Sequence, residues 1–199
     1  MTTAILWQPT LFAAEAPAVD ATFGAVVRHH LDDRTWVEHA RGWLRGSEAV
    51  LEDLLGRSWE PRRADEPMRL RSLEATPSLD AMQAALSARY DARFDDAAAA
   101  LFPNGRHVLG WTRHPVGEHF TNPVVATVVL GARRSIKVRP RTGGSGTTTF
   151  VVQPGDLFVT GGAAHDTWEH ALARSVRVRD PLVLVTLTHA RARDQLVRS

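Results

Sequence analysis

The sequence predicts an α+β chain that ends in a double-sheet β-barrel, or jelly roll. Helical periodicity marks the first half of the chain, and from Val108 onward short β-rich runs alternate with Gly, Pro and Asp turns. With 199 residues, 44 % of them hydrophobic, the chain is long enough for one domain with a true core. We expect a flexible arm at residues 1–19 and one domain at 20–199, with a helical and extended part at 20–100 and the barrel core at 101–190.

A strand and a short helix are expected in the first quarter of the chain. The strand lies within residues 24–31 and precedes a turn at Asp32-Asp33. The helix is expected at Ser47–Leu55, where Ser47 can act as the N-cap. Its shared apolar face consists of Val50, Leu51, Leu54 and Leu55.

The clearest helical pattern begins at Thr76-Pro77-Ser78 and continues to about Arg93. Thr76 or Ser78 can supply the cap, and Pro77 suits the first turn of a helix. The apolar residues that recur at helical spacing are Leu79, Met82, Leu86 and Tyr90.

Short strands separated by turn residues are expected in the second half. They are Val124–Leu130, Ser135–Arg139, Thr147–Val152, Leu157–Thr160 and Leu182–Thr188. The Gly-rich run at residues 143–146 predicts a hairpin turn rather than a phosphate-binding loop, because no GKS/T motif and no helix follow it.

Composition excludes several kinds of site. The chain has no cysteine, which rules out disulfides, thiol nucleophiles and zinc-thiolate centres. No apolar run approaches 18 residues, so we expect no membrane span, and the N-terminus lacks the basic start of a signal peptide, so we expect a cytoplasmic protein. The formal charge is only +2: the cations are almost all arginine, and the acids roughly balance them, which favours a mixed-charge solvated surface over a dedicated nucleic-acid face.

Four segments carry a resemblance to a known family. They are QPTLF at 8–12, TWVEHARGWLRG at 35–46, PVVATVVLGARRSIKVRP at 123–140, and PGDLFVTGG followed by TWEHAL at 154–172. In order and spacing the chain resembles bacterial AlkB-like 2-oxoglutarate/Fe(II)-dependent oxygenases over nearly its whole length. The resemblance implies a double-stranded β-helix, a cupin-like jelly roll with N-terminal helices packed on it. Active members bind Fe(II) and 2-oxoglutarate and oxidatively remove alkyl groups from nucleic-acid bases.

The resemblance also implies that most metal ligands have been replaced. Thr112 stands where the first metal-binding His is expected, and His114 stands where the Asp is expected. The third ligand is retained as His170. Such iron sites need two His and one carboxylate, and a Thr hydroxyl is a poor ligand for Fe(II). His170 therefore has two interpretations, a retained ligand or a structural His at a strand end.

The positions that hold 2-oxoglutarate in the family are changed as well. Its Asn-x-Tyr motif falls on Ala100 and Phe102, and its two carboxylate-binding arginines fall on Leu182 and Thr188. Burying a dicarboxylate without such partners costs several kcal/mol, so these positions are degenerate for cosubstrate binding. Since Leu182 and Phe102 are apolar, we expect them to fill the pocket. In the substrate lid, the family's Met-Tyr pair appears as Met68 and Arg69.

Histidines and cations leave two further hypotheses open. Five His side chains are expected around the barrel mouth, where His114, His170 and either His119 or His165 would form a three-His metal site. Other expected pocket residues are Trp111, Thr112, Arg113, Trp168 and Arg69. In the basic hairpin of residues 133–141 the phosphate candidates are Lys137 and Arg139 on one strand face and Arg134 on the other.

We therefore interpret the chain as an oxygenase-fold protein that is not an oxygenase: a pseudoenzyme, a binding protein or a repurposed metal-independent enzyme, without a cofactor. One alternative is an active dioxygenase that uses Fe(II) and 2-oxoglutarate at a rewired His site, with Arg113 or Arg139 as the new carboxylate partner. Another is a nucleic-acid-binding module. A small molecule in the barrel pocket is the favoured partner, nucleic acid is not favoured, and the sequence names no substrate.

Overall fold

The computed structural model describes residues 15–60, 66–70, 73–113, 123–142 and 146–189. Within these ranges the strands are β1 Ala18–Val19, β2 Val26–His30, β3 Thr35–Ala40, β4 Leu44–Arg45, β5 Met68–Leu70, β6 Phe94–Phe102, β7 Leu109–Thr112, β8 Val125–Gly131, β9 Arg134–Pro140, β10 Thr148–Val152, β11 Leu157–Gly162, β12 Trp168–Leu172 and β13 Leu182–His189. The helices are α1 Ser47–Leu55, α2 Pro77–Tyr90 and α3 Ala164–Thr167. No helix in this part of the chain is long and apolar enough to cross a membrane.

Two antiparallel sheets form the barrel. The larger has seven strands in the order β2-β3-β11-β8-β13-β6-β5, and the smaller has four in the order β10-β9-β12-β7. Between them lies an inner apolar cluster, to which both sheets contribute: Val37, Phe102, Val129, Ile136, Val138, Phe150, Val152, Phe158, Leu172, Leu182 and Leu184. The expected α+β fold, a double-stranded β-helix with N-terminal helices, is confirmed.

The opposite face of the seven-stranded sheet carries the helices. In β8, Ala126, Val128 and Leu130 belong to this outer core while Val129 faces the barrel interior, as the two-residue period of a strand requires. The helices bury Leu51 and Leu54 from α1 and Leu79, Met82 and Leu86 from α2. Strand β6 contains four consecutive alanines. It lies on both sides of residue 100, where the boundary between the N-terminal part and the barrel core was expected.

The helix ends agree with the sequence in one case and differ in the other. Thr76 caps α2, its hydroxyl accepting from the Leu79 amide at 3.2 Å, and the helix ends at Tyr90 because Asp91 adopts a left-handed conformation (φ 48°). The expectation that Ser47 caps α1 was wrong: the N-cap is Gly46, at φ 59°, and Ser47 is buried inside the helix. A side chain at position 46 would collide with the carbonyls of Glu15 and Ala16, which explains the glycine.

Candidate functional site at the barrel mouth

The first and third ligand positions implied by the resemblance lie next to each other. Thr112 ends β7, His170 lies on β12, and the two are directly paired across these strands. His170 also pairs with Val138, an inner-cluster residue, so it shares the inward face. The alignment of these two positions is therefore geometrically consistent, although Thr112 supplies a hydroxyl rather than an imidazole. His114 and His119 lie outside the described residues.

A small cavity of about 20 Å³ lies at this mouth. Its wall includes both imidazoles, His165 and His170, together with Arg113 and Trp168. The remaining surface is largely apolar, with Leu31, Val37 and Val138 among the lining residues. A space of this size accommodates about one water molecule. It is too small for a five-carbon dicarboxylate.

Both imidazoles are neutral at neutral pH. Burial lowers the pKa of His165 to about 4, and its Nε2 lies 3.4 Å from the Thr160 hydroxyl. Burial also lowers the pKa of His170 to about 4, with the nearby His165 lowering it further and Glu169 partly opposing the shift. Neutral imidazoles bind metals well, and they are equally suited to a packed interior.

A carboxylate that the sequence reasoning missed closes one side of the mouth. Asp32 lies in the β2–β3 turn, where its Oδ2 accepts from Trp168 Nε1 at 2.7 Å and its Oδ1 accepts from the Arg34 amide at 2.8 Å. Burial acts to raise the pKa of this carboxyl. The hydrogen bond from Trp168 and the hydrogen bonds from backbone amides outweigh that effect and hold the pKa below its usual value. The signal was present in the sequence: His30-Leu31-Asp32 spells a His-x-Asp motif, far from the position where the family carries it.

Two of the four positions that the resemblance assigns to 2-oxoglutarate are filled with apolar core side chains. Leu182 in β13 pairs directly with Phe102 in β6, and both are 0 % exposed within the inner cluster. Ala100, two residues before Phe102, packs against the same cluster. Thr188 lies at the far end of β13, where its hydroxyl donates to Asp96 Oδ2 at 3.3 Å. Two of the four degenerate positions therefore form solid core, as expected from their residue types.

Another expected pocket residue, Trp111, lies elsewhere. Trp111 is next to Thr112 in β7 and therefore points to the outer face of the four-stranded sheet, where the Arg139 guanidinium lies 4.0 Å from its ring centre. It does not line the cavity. Arg69 lies on β5, opposite Ala100 in the register of the sheet, so its backbone borders the filled pocket.

The basic hairpin does not form one phosphate-binding face. Arg134 is 3 % exposed and donates to the carbonyls of Asn104, His107 and Ala173. The prediction that Arg134 contacts phosphate was therefore wrong. Arg139 is on the outer face with Lys137, as expected, but it pairs with Glu169 at 2.5 Å. A phosphate would have to displace that carboxylate.

The residues that the structure describes do not fit an Fe(II)/2-oxoglutarate centre. In the portions of the chain that the structure describes, no three His, Asp or Glu side chains converge on a point that could hold a metal. Glu169 is the carboxylate nearest His170 in sequence, and it is committed to Arg139. The carboxylate-binding arginines are replaced by a buried leucine and by a threonine bonded to Asp96.

The PGD motif at residues 154–156 has a structural role. Asp156 is 1 % exposed, accepts from the amides of Gly42 and Gln153 at 3.0 Å each, and lies 2.9 Å from His39 Nε2. Gly155 before it has φ 80° and approaches the Leu44 carbonyl so closely that no side chain fits. The motif therefore builds the corner between β10 and β11 and ties it to the β3–β4 turn.

Comparisons with known proteins agree with this architecture. A crystal structure of a Pseudomonas putida prolyl-4-hydroxylase is similar to this chain with a TM-score of 0.55 and 15 % identity, over 78 % of this chain and 92 % of that one. The structure of OsALKBH1 is similar with a TM-score of 0.60 and 10 % identity, over 82 % of this chain and 100 % of that one. At such identities the likeness establishes that the chain shares the fold of these two proteins and nothing about activity. No protein-family model matches the chain, and no curated protein matches it.

Proposed function

We propose that this chain has kept the oxygenase barrel and lost the oxygenase reaction, so that it acts through binding rather than through Fe(II) and 2-oxoglutarate. The observation that carries the proposal is the Leu182–Phe102 pair, which occupies with solid core the place where the resemblance puts the cosubstrate. An unpaired dicarboxylate buried there would cost several kcal/mol.

The pattern of retained and replaced residues supports the same conclusion. Asp156, Gly155 and the successive strands β8 and β9 belong to matched segments, and each has a folding role in the structure. The positions that serve chemistry in the family are replaced at Thr112 and Leu182. Loss confined to the chemical positions is what an inactive descendant would show.

An anaerobic titration tests the proposal. The protein would be freed of metal, then given Fe(II) and 2-oxoglutarate, and the visible charge-transfer band of a chelated iron complex would be recorded. We expect no saturable band. A band that saturates in both additions and disappears in His170→Ala, but not in the exposed His30→Ala control, would overturn the proposal.

A second candidate function is a metal site rewired around His165 and His170. The observation in its favour is that two neutral imidazoles share the wall of one cavity. Its signature would be metal that copurifies with the protein in stoichiometric amount. His165→Asn and His170→Ala would each abolish that metal, and His30→Ala would not.

A further inference from the structure

A group of exposed arginines lies at the end of the barrel opposite the candidate site. They occupy three loops, 103–108 after β6, 131–133 after β8 and 173–181 after β12. The arginine surface, as we name it, consists of Arg106, Arg133, Arg174, Arg177 and Arg179, all exposed. Since β12 begins beside the mouth at Trp168 and ends before this surface, the two are separated by the length of the strand.

The charge of this surface is unbalanced. Among the residues of the three loops, Asp180 is the one carboxylate, whereas the whole chain has a formal charge of only +2. Elsewhere arginines are paired, as Arg28 is with Glu38 and Arg57 with Asp53. Within the described ranges no carboxylate pairs with any arginine of the surface. The three loops therefore carry a net positive charge that is available to a partner.

The loops that carry these arginines are held together by backbone hydrogen bonds. The Gly105 amide donates to Val178 O at 3.0 Å, and the Ser175 amide donates to Gly105 O at 2.8 Å. A side chain at Gly105 would overlap the Ser175 carbonyl, so the approach of these two loops requires the glycine. The Ala132 amide donates to Pro181 O at 2.8 Å and attaches the third loop.

Arg134 lies beneath the surface and joins two of the loops from inside. Its guanidinium donates to Asn104 O at 3.3 Å, His107 O at 2.9 Å and Ala173 O at 2.6 Å. In the described part of the chain it has no carboxylate partner, so its buried charge adds to the positive field of the arginines above it. The loops beneath the arginine surface are therefore preorganised, because an incoming anion does not have to order them.

From these observations we propose that the arginine surface binds the phosphate backbone of nucleic acid, without reading base sequence. Guanidinium groups match phosphate oxygens bidentately, and several fixed at one end suit a polyanion better than a single phosphate. A lipid surface is the less favoured partner, because the loops expose just one large apolar side chain, Val176 at 70 %, for insertion. The site does not depend on whether the barrel is catalytically dead, since it lies at the other end.

Salt dependence of binding measures how many arginines contact phosphate. The assay is fluorescence anisotropy of a labelled 20-nucleotide single strand and of a 20-base-pair duplex of arbitrary sequence, from 50 to 200 mM salt. If all five arginines contact phosphates, the slope of log K against log salt is about −4.5 for the duplex and about −3.5 for the single strand, a weakening of several hundred-fold and of about a hundred-fold over this range. Random and defined sequences should bind alike.

Paired variants separate a specific surface from bulk charge. Arg177→Gln with Arg179→Gln should make the slope for the duplex shallower by about 2. Affinity for the duplex would then weaken by about 40-fold over the same salt range. Arg34→Gln with Arg93→Gln removes the same charge from exposed positions outside the three loops and should leave the slope unchanged. Melting temperatures of all proteins would confirm that each variant is folded.

Several outcomes would overturn the proposal. These are no binding at 50 mM salt, an equal effect of the two double variants, or a slope that the arginine variants do not change. Binding to phosphatidylserine vesicles with none to either oligonucleotide would instead identify a membrane surface and equally reject nucleic acid.

Discussion

Replacing Leu182 by Arg restores the residue type that the resemblance assigns to this position. The stability of the variant distinguishes a barrel interior that is packed with core side chains from a pocket that can open for a ligand. Leu182 is 0 % exposed, opposite Phe102 on one side and Gly131 on the other. The variant would lose the packing of the leucine and bury a guanidinium inside an apolar cluster. Each change alone costs several kcal/mol, so we expect the free energy of unfolding to fall by at least about 4 kcal/mol.

Thr188 provides the matched control, because it is the other replaced arginine position. It is half-buried at the end of β13, and its hydroxyl already contacts Asp96, which could pair with a new guanidinium. Thr188→Arg should therefore change the free energy of unfolding by less than about 1 kcal/mol.

Urea denaturation followed by circular dichroism, with melting temperature as a second measure, gives the comparison. A loss of 4 kcal/mol corresponds to a decrease of about 8–16 °C for a domain of this size. The reasoning would be refuted if Leu182→Arg were as stable as the parent and also bound 2-oxoglutarate in calorimetry. That result would show that the inner cluster opens at little cost.

Three further predictions concern charge, a buried arginine and a glycine. The pKa of His165 is about 4 in the folded protein, against an ordinary value of 6.5. Between these two pH values the unfolded chain therefore binds a proton at His165 that the folded protein does not bind. Its contribution to stability is complete above about pH 6.5 and is lost as pH falls to about 4, by up to about 3 kcal/mol. Because the pKa of His170 is lowered to the same value, denaturation across that range should show the combined slope of both groups, and His165→Asn should reduce that slope by about half. Arg134→Met leaves three carbonyls without their donor and should lower the free energy of unfolding by about 2–4 kcal/mol, whereas a loss under 0.5 kcal/mol would mean that water replaces the guanidinium. Gly155→Ala should cost clearly more than Gly42→Ala in melting temperature, because both have positive φ but only position 155 faces a carbonyl at collision distance; equal losses would contradict this account.

The elements that the sequence predicts best are those with a local signal. The pattern of Leu79, Met82 and Leu86 identifies α2, and Thr76 caps it as predicted. The five predicted barrel strands all form, with ends shifted by at most two residues. These segments have alternating or helical periodicity that needs no tertiary information.

The strands that were missed depend on neighbours. The alanines of β6 favour helix intrinsically, yet they form a strand because β13 and β5 pair with it on both sides. The segment Trp168–Leu172 has no extended run of apolar residues, and its pairing with β9 and β7 makes it a central strand. Tertiary pairing decides both, and a single sequence does not carry it.

The candidate site was predictable in part. The residue types at Phe102 and Leu182 anticipate a filled interior, and the structure places both in the inner cluster. Alternation also places Arg134 on the inward face of β9, but no local pattern reveals that three carbonyls await its guanidinium. The role of Asp32 depends on Trp168, a partner 136 positions away, which only the folded chain brings into contact.

Asp156 has a consequence for how the barrel moves. Asp156 holds the Gln153 amide within its own corner and also the Gly42 amide and the ring of His39, so the β10–β11 corner cannot open without breaking the hydrogen bonds that hold the β3–β4 turn. Their amide protons should therefore exchange with solvent in a single opening event, at a common free energy. One buried side chain thus couples two distant stretches of backbone into one cooperative unit.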